Sequence, residues 1–465
     1  VSLSFHESTP PKATFTHTWT RKRPNADYAV VIETGDAATL TPALVYRRWL
    51  AEHGQLVTLK QKIAANANVQ RLLGAPHAYL WGDGVSVAML DTIHRSGIDR
   101  FVLCTGDLDF ASLKPEVAAR AAELGYLFGP YDSYDSVHSP DADPDDTWTT
   151  AQFDRKLYET GRVIGADGEA RRGFKGVGYR LSPLAAKPYV RRRVEERLAK
   201  VPYSAWFVDC DAFGEFLEDY SPEHPATRID DARARRQRLR WLSEEHGLVV
   251  GSEGGTAVMT AAIHFGHGVM TPVIGWGDER LTSRDSEYFL GAWWPPDAPG
   301  VFFKRVPLCP DYARPYFDPR DRLPLYQAVF GDCVIATHHW TAASLKFADQ
   351  LGTVELLELL YNVPPLYHLN REQWLRDEAR TVRHFAFWSP IHRALALAPL
   401  VGFEHLTPDR LVQRTTFAAD AGRVHLIANF DRVERTLANG QCLPPRSLTV
   451  TGALRLDQPV FVVGD

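Results

Sequence analysis

Apolar and polar positions along the chain fall into three successive patterns. In residues 1 to about 55, two stretches alternate with period two, Thr14–Thr20 and Tyr28–Glu33. Turn formers bound each of them, which predicts strands. A helical spacing follows over Pro42–His53. From residue 74 to about 345 the texture changes. Short apolar runs at 78–81, 100–104, 125–129, 205–209, 248–252, 273–275 and 333–337 alternate with helical segments. The clearest helices are Val85–Ser96, Pro115–Leu124, Lys187–Ala199 and Asp230–His246.

Such alternation predicts an α/β fold with a parallel sheet, and the length suits a (β/α)8 TIM-like barrel. Seven strands are legible, and the eighth is expected within 290–306. Two tracts interrupt the alternation, 132–182 (rich in Asp, Ser and Gly) and 278–325 (with several Pro). Both read as loops inserted at the barrel mouth. A helical stretch runs from 351 to about 397. Strand-like runs separated by turn residues then predict a small antiparallel β-sandwich. The expected organisation is an N-terminal β segment and linker helix (1–55), a barrel (56–350), a helical connection (351–398) and a C-terminal β-sandwich (399–465).

Composition narrows the function classes. Hydrophobic residues at 45% and charged residues at 23% are those of an ordinary globular protein. A formal net charge of −5 offers no field for nucleic acid or an anionic membrane, so neither is an expected partner. No apolar run of about 18 residues occurs, which excludes a spanning helix. The chain starts at Val1 with no basic, apolar leader. The expectation is a soluble bacterial protein, cytoplasmic or secreted, that is processed or a piece of a longer chain. The five cysteines (Cys104, Cys210, Cys309, Cys333 and Cys442) form no CxxC pair and read as free thiols. His264, His267 and His338 show no metal-binding spacing, and a serine nucleophile elbow, a P-loop and a dinucleotide fingerprint are all missing. No metal or cofactor is expected. Twelve Trp and seventeen Tyr supply apolar ring faces of the kind that stack on sugars.

The strongest chemical signal is AWFVDCDAFGEF at 205–216. Here an apolar strand ends on Asp209 and Asp211, which a regular strand places on one face. Acids at the C-terminal end of a barrel strand sit at the catalytic mouth. Next is LVVGSEGG at 248–255, where Glu253 follows a buried-type strand among small residues that admit a ligand. One strand–helix unit separates the two acids, so adjacent strands bring both carboxyls to one cleft, as glycoside hydrolysis requires. Further candidates at strand ends are Trp81 and Asp83, Tyr131 and Asp132, and His338, His339 and Trp340. Together with Asp211 they are expected to contact a sugar.

The segments FVDCDAF and TRIDDARARRQRLRWLSEEHGLVVGSEGG, with PLYQAVFGDCVIATHHW at 324–340, resemble the bacterial retaining α-N-acetylgalactosaminidases of glycoside hydrolase families 101 and 129. The resemblance implies that Asp209 is the nucleophile and Glu253 the acid/base. It also implies an oligosaccharide or glycoconjugate substrate with α-linked galactose or N-acetylgalactosamine, and no cofactor. In those families the strand reads Asp-Val where this chain has Asp209-Cys210. They also carry a large β-sandwich before the barrel, of which this chain keeps at most the end. The competing expectations are a carbohydrate-binding barrel without turnover and a metal-dependent hydrolase with at least three converging ligands.

Overall fold

The computed structural model describes residues 2–6, 12–17, 19–24, 30–33, 35–36, 38–105, 114–142, 151, 154–271, 273, 275, 277–293, 295 and 297–464. The chain opens on an antiparallel hairpin, β1 (Ser2–His6) and β2 (Lys12–Thr16). The second strand overlaps the alternation at 14–20. Of the other expected strand, Tyr28 lies outside the described residues, and Val30–Glu33 form no strand. Val31 and Ile32 are exposed, so alternation alone found no surface to cover it there.

Helices α1 (Thr41–Glu52) and α2 (Leu59–Ala65) lead into the main unit. Strands and helices then alternate as β3 (His77–Leu80), α3 (Val87–Arg95), β4 (Val102–Thr105), α4 (Pro115–Glu123) and β5 (Leu127–Ser133). The first insertion contributes β6 (Ser136–Val137), α5 (Arg155–Thr160) and β7 (Tyr179–Arg180). The alternation resumes with α6 (Pro183–Leu198), β8 (Ala205–Ala212), α7 (Arg228–Glu244), β9 (Val249–Gly254) and β10 (Phe265–His267). The second insertion carries α8 (Glu279–Thr282), α9 (Gly300–Phe303) and α10 (Pro310–Tyr316), followed by α11 (Leu325–Phe330) and β11 (Ile335–Ala336). The unit ends with α12 (Leu351–Tyr361), β12 (Leu366–Leu369) and α13 (Arg371–Leu395).

Eight of these strands form one sheet in the order β11-β10-β9-β8-β5-β4-β3-β12, and every pairing is parallel. Chain order is kept throughout and the last strand lies beside the first, so the sheet curls into a TIM-barrel-like shape. Tyr79, Cys104, Leu127, Phe207, Val249, Phe265, Ile335 and Leu366, one from each strand, belong to a single buried cluster on the inner face. Between β11 and β12, Ser344 N–H donates to Leu366 O (3.0 Å) and Leu366 N–H donates to Ser344 Oγ (2.8 Å). Just before β10 and β11, buried Lys62 Nζ donates to the carbonyls of Thr260, Ile263 and Cys333, each at 2.6 Å.

Two expected strands move. The sixth is Phe265–His267, not 273–275, because the short GH-rich run carries the buried Phe265 while Val273 and Gly275 lie outside any strand. The eighth is Leu366–Leu369, not 290–306. It is a four-residue strand hidden between two long helices, in the stretch expected to be a helical connection.

The C-terminal residues form β13 (Leu400–His405), β14 (Val412–Ala419), β15 (Gly422–Asn429), β16 (Arg435–Thr436), β17 (Cys442–Leu443), β18 (Ser447–Gly452) and β19 (Val460–Val462). These are antiparallel, as expected, in one five-stranded sheet (β13-β14-β15-β18-β19) with a separate β16-β17 ribbon. In place of the second layer of a sandwich, α12 and α13 pack against the five-stranded sheet. Among the described residues no helix is long and apolar enough to cross a membrane.

Candidate active site

Strand β8 is apolar and buried from Ala205 to Val208, and then its ladder with β9 shifts register between Val208 and Ala212. Cys210, at the centre of the irregularity, has φ +62°, a left-handed conformation uncommon for a residue with a side chain. Ser252 Oγ accepts the Ala212 N–H at 2.9 Å on the far side of the bulge. On β9, Gly254 has φ +71°, and a Cβ there would come within 2.9 Å of the Phe213 backbone. Two irregular strand ends thus face each other and carry Asp209 and Glu253.

A carboxylate oxygen of Asp209, the Cys210 sulfur and a carboxylate oxygen of Glu253 lie within 4.8 Å of one another. The thiol reaches Asp209 Oδ2 at 3.5 Å and Glu253 Oε2 at 3.7 Å. Among the described residues no lysine or arginine pairs with either carboxyl, and Asp209 Oδ1 is buried without a hydrogen-bond partner. Burial pushes the Asp209 carboxyl well above the usual range, and the Glu253 charge adds to this. The neighbouring Tyr131 hydroxyl and Cys210 thiol pull the other way. Burial also lifts Glu253, to about 7, against the opposing effects of Cys210 and Asp209. Such a pair titrates as a unit.

The other acids of the region are neutralised from behind. Asp211 is fully buried, gripped in a bidentate pair by Nε and Nη2 of Arg238 and approached by Arg235 at 3.6 Å. Asp135 pairs with Arg180 (2.9 Å) and Arg235 (3.2 Å). Asp132 is held by Arg193 (3.0 Å) and Arg197 (3.2 Å) and accepts from the Tyr134 hydroxyl at 2.9 Å. Helices α6 and α7 supply most of these arginines from their buried faces. Arg235 Nη1 also donates to Cys210 O (3.4 Å), tying the bulge to α7. Counter-charge is therefore given to three acids beneath the cleft and withheld from Asp209 and Glu253.

This changes three of the expected contacts. Asp211 does not share a face with Asp209, because the bulge turns the chain between them. Asp211 and Asp132 lie beneath the cleft, sealed by arginines, and do not face a ligand. His338 is also fully buried, with Nε2 3.0 Å from Glu358 of α12. The next residue differs. His339 Nδ1 accepts the Thr341 N–H (3.1 Å), so Nε2 carries the ring proton and faces Glu253 Oε1 at 3.6 Å. Burial lowers the His339 pKa to about 3, which keeps the ring neutral.

Aromatic rings floor the site. Tyr131 stacks on Phe207 (5.4 Å) and meets Trp340 edge-on (5.7 Å), and Trp340 lies 3.8 Å from the His339 ring. Trp81 packs on Phe302 of the second insertion at 5.0 Å and donates from Nε1 to His368 Nδ1 at 3.0 Å. Asp83 is exposed and accepts the Arg371 N–H (3.1 Å), joining the first strand end to α13. The residues that sequence reasoning missed are Tyr79, Cys210, Asp135, Arg235 and His368. Asp135 lies three residues past Asp132 in the run YDSYD at 131–135, and Cys210 lies inside AWFVDCDAFGEF. His368 lay on the unrecognised eighth strand, where its ring stacks on Tyr79 at 5.4 Å.

Residues 92–416 match the family described as glycosyl hydrolases related to the family GH101, GH129. No curated protein matches the sequence. Among solved structures, the ligand-free α-N-acetylgalactosaminidase NagBb from Bifidobacterium bifidum is similar in fold. It has a TM-score of 0.58 and 20% identity, over 87% of this chain and 63% of that one. Its complex with GalNAc gives 0.57 and 19%, over 88% and 63%. The chain thus spans less than two thirds of the length of these fold relatives.

Proposed function

The chain belongs to glycosyl hydrolase family 129, related to family 101, and from that premise we propose that it is a retaining glycosidase acting on α-linked N-acetylgalactosamine or galactose. N-acetylgalactosamine is the first choice, after the bifidobacterial fold relatives. The observation that carries the mechanism is the closeness of Asp209 to Glu253, with oxygens within 4.8 Å. A retaining pair stands about 5–5.5 Å apart, whereas an inverting pair needs about 6.5–9.5 Å to admit water between them.

In this reading the Asp209 carboxylate attacks the anomeric carbon while Glu253 gives its proton to the departing glycosidic oxygen. The glycosyl–Asp209 bond is the intermediate. Water then attacks the same carbon, Glu253 takes its proton, and the Asp209 carboxylate leaves. This sequence needs one proton on the pair, carried by Glu253 with Asp209 ionised once the sugar is bound. Tyr131, Trp340 and Trp81 form the platform for the sugar, and Asp83 lies at its rim. The sheet is proposed to close as a (β/α)8 barrel from about residue 56 through β12, with the inner cluster drawn from all eight strands as support. Residues 399–465 are read as a C-terminal β unit, and 1–55 as an N-terminal β segment with a linker helix.

A panel of nitrophenyl α- and β-glycosides tests the reading, with release expected from α-N-acetylgalactosaminide or α-galactoside. Asp209→Asn should abolish all turnover. Glu253→Ala should retain turnover of activated aryl substrates, and azide should accelerate it to give the α-glycosyl azide. A β-azide product, or full activity of Asp209→Asn, refutes the assignment.

A further inference from the structure

Glu253 lines a cavity of about 340 Å3 that Asp209 does not reach. Its walls are Phe213, Thr256, Ala257, Val269, Tyr326 and Phe330, with His339 at its inner edge. This is at the small end of ligand sites and large enough for a ring or a short alkyl chain. Beyond Glu253 and His339 at the inner edge, the polar side chains in the wall are already engaged: the Tyr326 hydroxyl donates to Gly255 O (2.9 Å) and Thr256 Oγ1 donates to Ala212 O (3.3 Å). A second sugar placed here would bury hydroxyls without partners, at a cost an apolar group does not incur.

We propose that this cavity receives the leaving group of the substrate, and that the group is apolar: an alkyl or aryl aglycone in preference to a further sugar. The inference rests on the glycosidase reading, in which the proton donor stands beside the leaving oxygen. A space bounded by Glu253 and not by Asp209 is on the leaving-group side of the sugar. Phe213, about half exposed, stands at the mouth, and Phe330 and Val269 form deeper wall.

Alkyl α-N-acetylgalactosaminides from methyl to hexyl separate binding from chemistry, because the departing alkanols have nearly equal basicity. At about fourfold in kcat/KM per methylene buried, two to three buried methylenes give the hexyl glycoside an advantage of about 15- to 60-fold over methyl. Ala257→Phe, which fills the cavity, should bring the hexyl-to-methyl ratio toward one. Phe213→Ala should lower it several-fold. A flat series in the unmodified protein, with methyl glycoside still hydrolysed, overturns the inference alone. Failure to hydrolyse any α-glycoside, activated aryl ones included, overturns the glycosidase reading itself. The same series on α-galactosides is the last arm. If Ala257→Phe erases a preference for the 2-acetamido group and leaves the alkyl series intact, the cavity holds the acetamide and the inference falls.

Discussion

Asp211→Asn is a nearly isosteric change at a fully buried carboxylate beneath the cleft, and its cost follows from a charge count. The cluster contains three guanidinium groups (Arg180, Arg235, Arg238) and three carboxylates (Asp135, Asp211, Asp231), all buried or nearly so. Removing one negative charge leaves a buried arginine excess. Breaking such a pair from one side costs about 3–5 kcal/mol, because the remaining charge stays desolvated. That is a large part of the roughly 5–15 kcal/mol that holds a typical fold. With a urea m-value of about 3 kcal/mol/M for a large unit, the midpoint should fall by about 1–1.7 M. Glu244→Gln is the control. It breaks an exposed i,i+4 pair with Arg240, worth about 0.3–0.5 kcal/mol. Urea unfolding followed by tryptophan fluorescence measures both variants. A loss at Asp211 below about 1 kcal/mol, or equal to that at Glu244, would show that the cluster is wet and refute the counter-charge argument. Because Arg235 also holds the Cys210 carbonyl, the folded variant should keep only part of its turnover of activated substrates.

Turnover of alkyl glycosides should decline as pH rises through about 7, since Glu253 donates only while protonated and burial raises its carboxyl to about that value. A limb near the ordinary carboxylate pKa would contradict this. The same raised carboxyls make the folded protein bind more protons than the unfolded chain. The Glu253 contribution to stability is present below the unfolded carboxylate pKa and is lost as pH rises through about 7, and the raised Asp209 carboxyl acts in the same direction. His339→Phe removes the Nε2–H that faces Glu253 at 3.6 Å, so the alkaline limb should move upward and kcat/KM should fall; an unmoved pH profile would make the contact incidental. Iodoacetamide at pH 8 should alkylate exposed Cys442 first. Burial lifts the Cys104 and Cys333 thiols to about 12 and holds Cys210 well above its ordinary value. Peptide mass spectrometry reads the order, and Cys210 reacting as fast as Cys442 would contradict it.

Much of the scaffold was legible in the sequence because strand and helix periods are local. The runs at 78–81, 100–104, 125–129, 205–209 and 248–252 need only adjacent residues to declare a buried strand, and the structure has a strand at each. The carboxyls of Asp209 and Glu253 stand out because each follows such a run. Very short strands were not legible: Phe265–His267 and Leu366–Leu369 are three and four residues long, too short for a period, and only neighbouring strands define them. The fate of Asp211 was not legible either. Alternation places it beside Asp209, but a left-handed Cys210 and the arginines of α7 turn it inward. Those arginines sit in a run that, read locally, is a solvated helix face, and only the packing of α6 and α7 on β5 and β8 makes them the interior counter-charge. The sequence by itself determined the order of the elements and which acids end strands, since both are properties of neighbouring residues. The tertiary structure alone decided which acids are neutralised and which two stand together without counter-charge, because charge pairing and desolvation depend on groups brought together from distant parts of the chain.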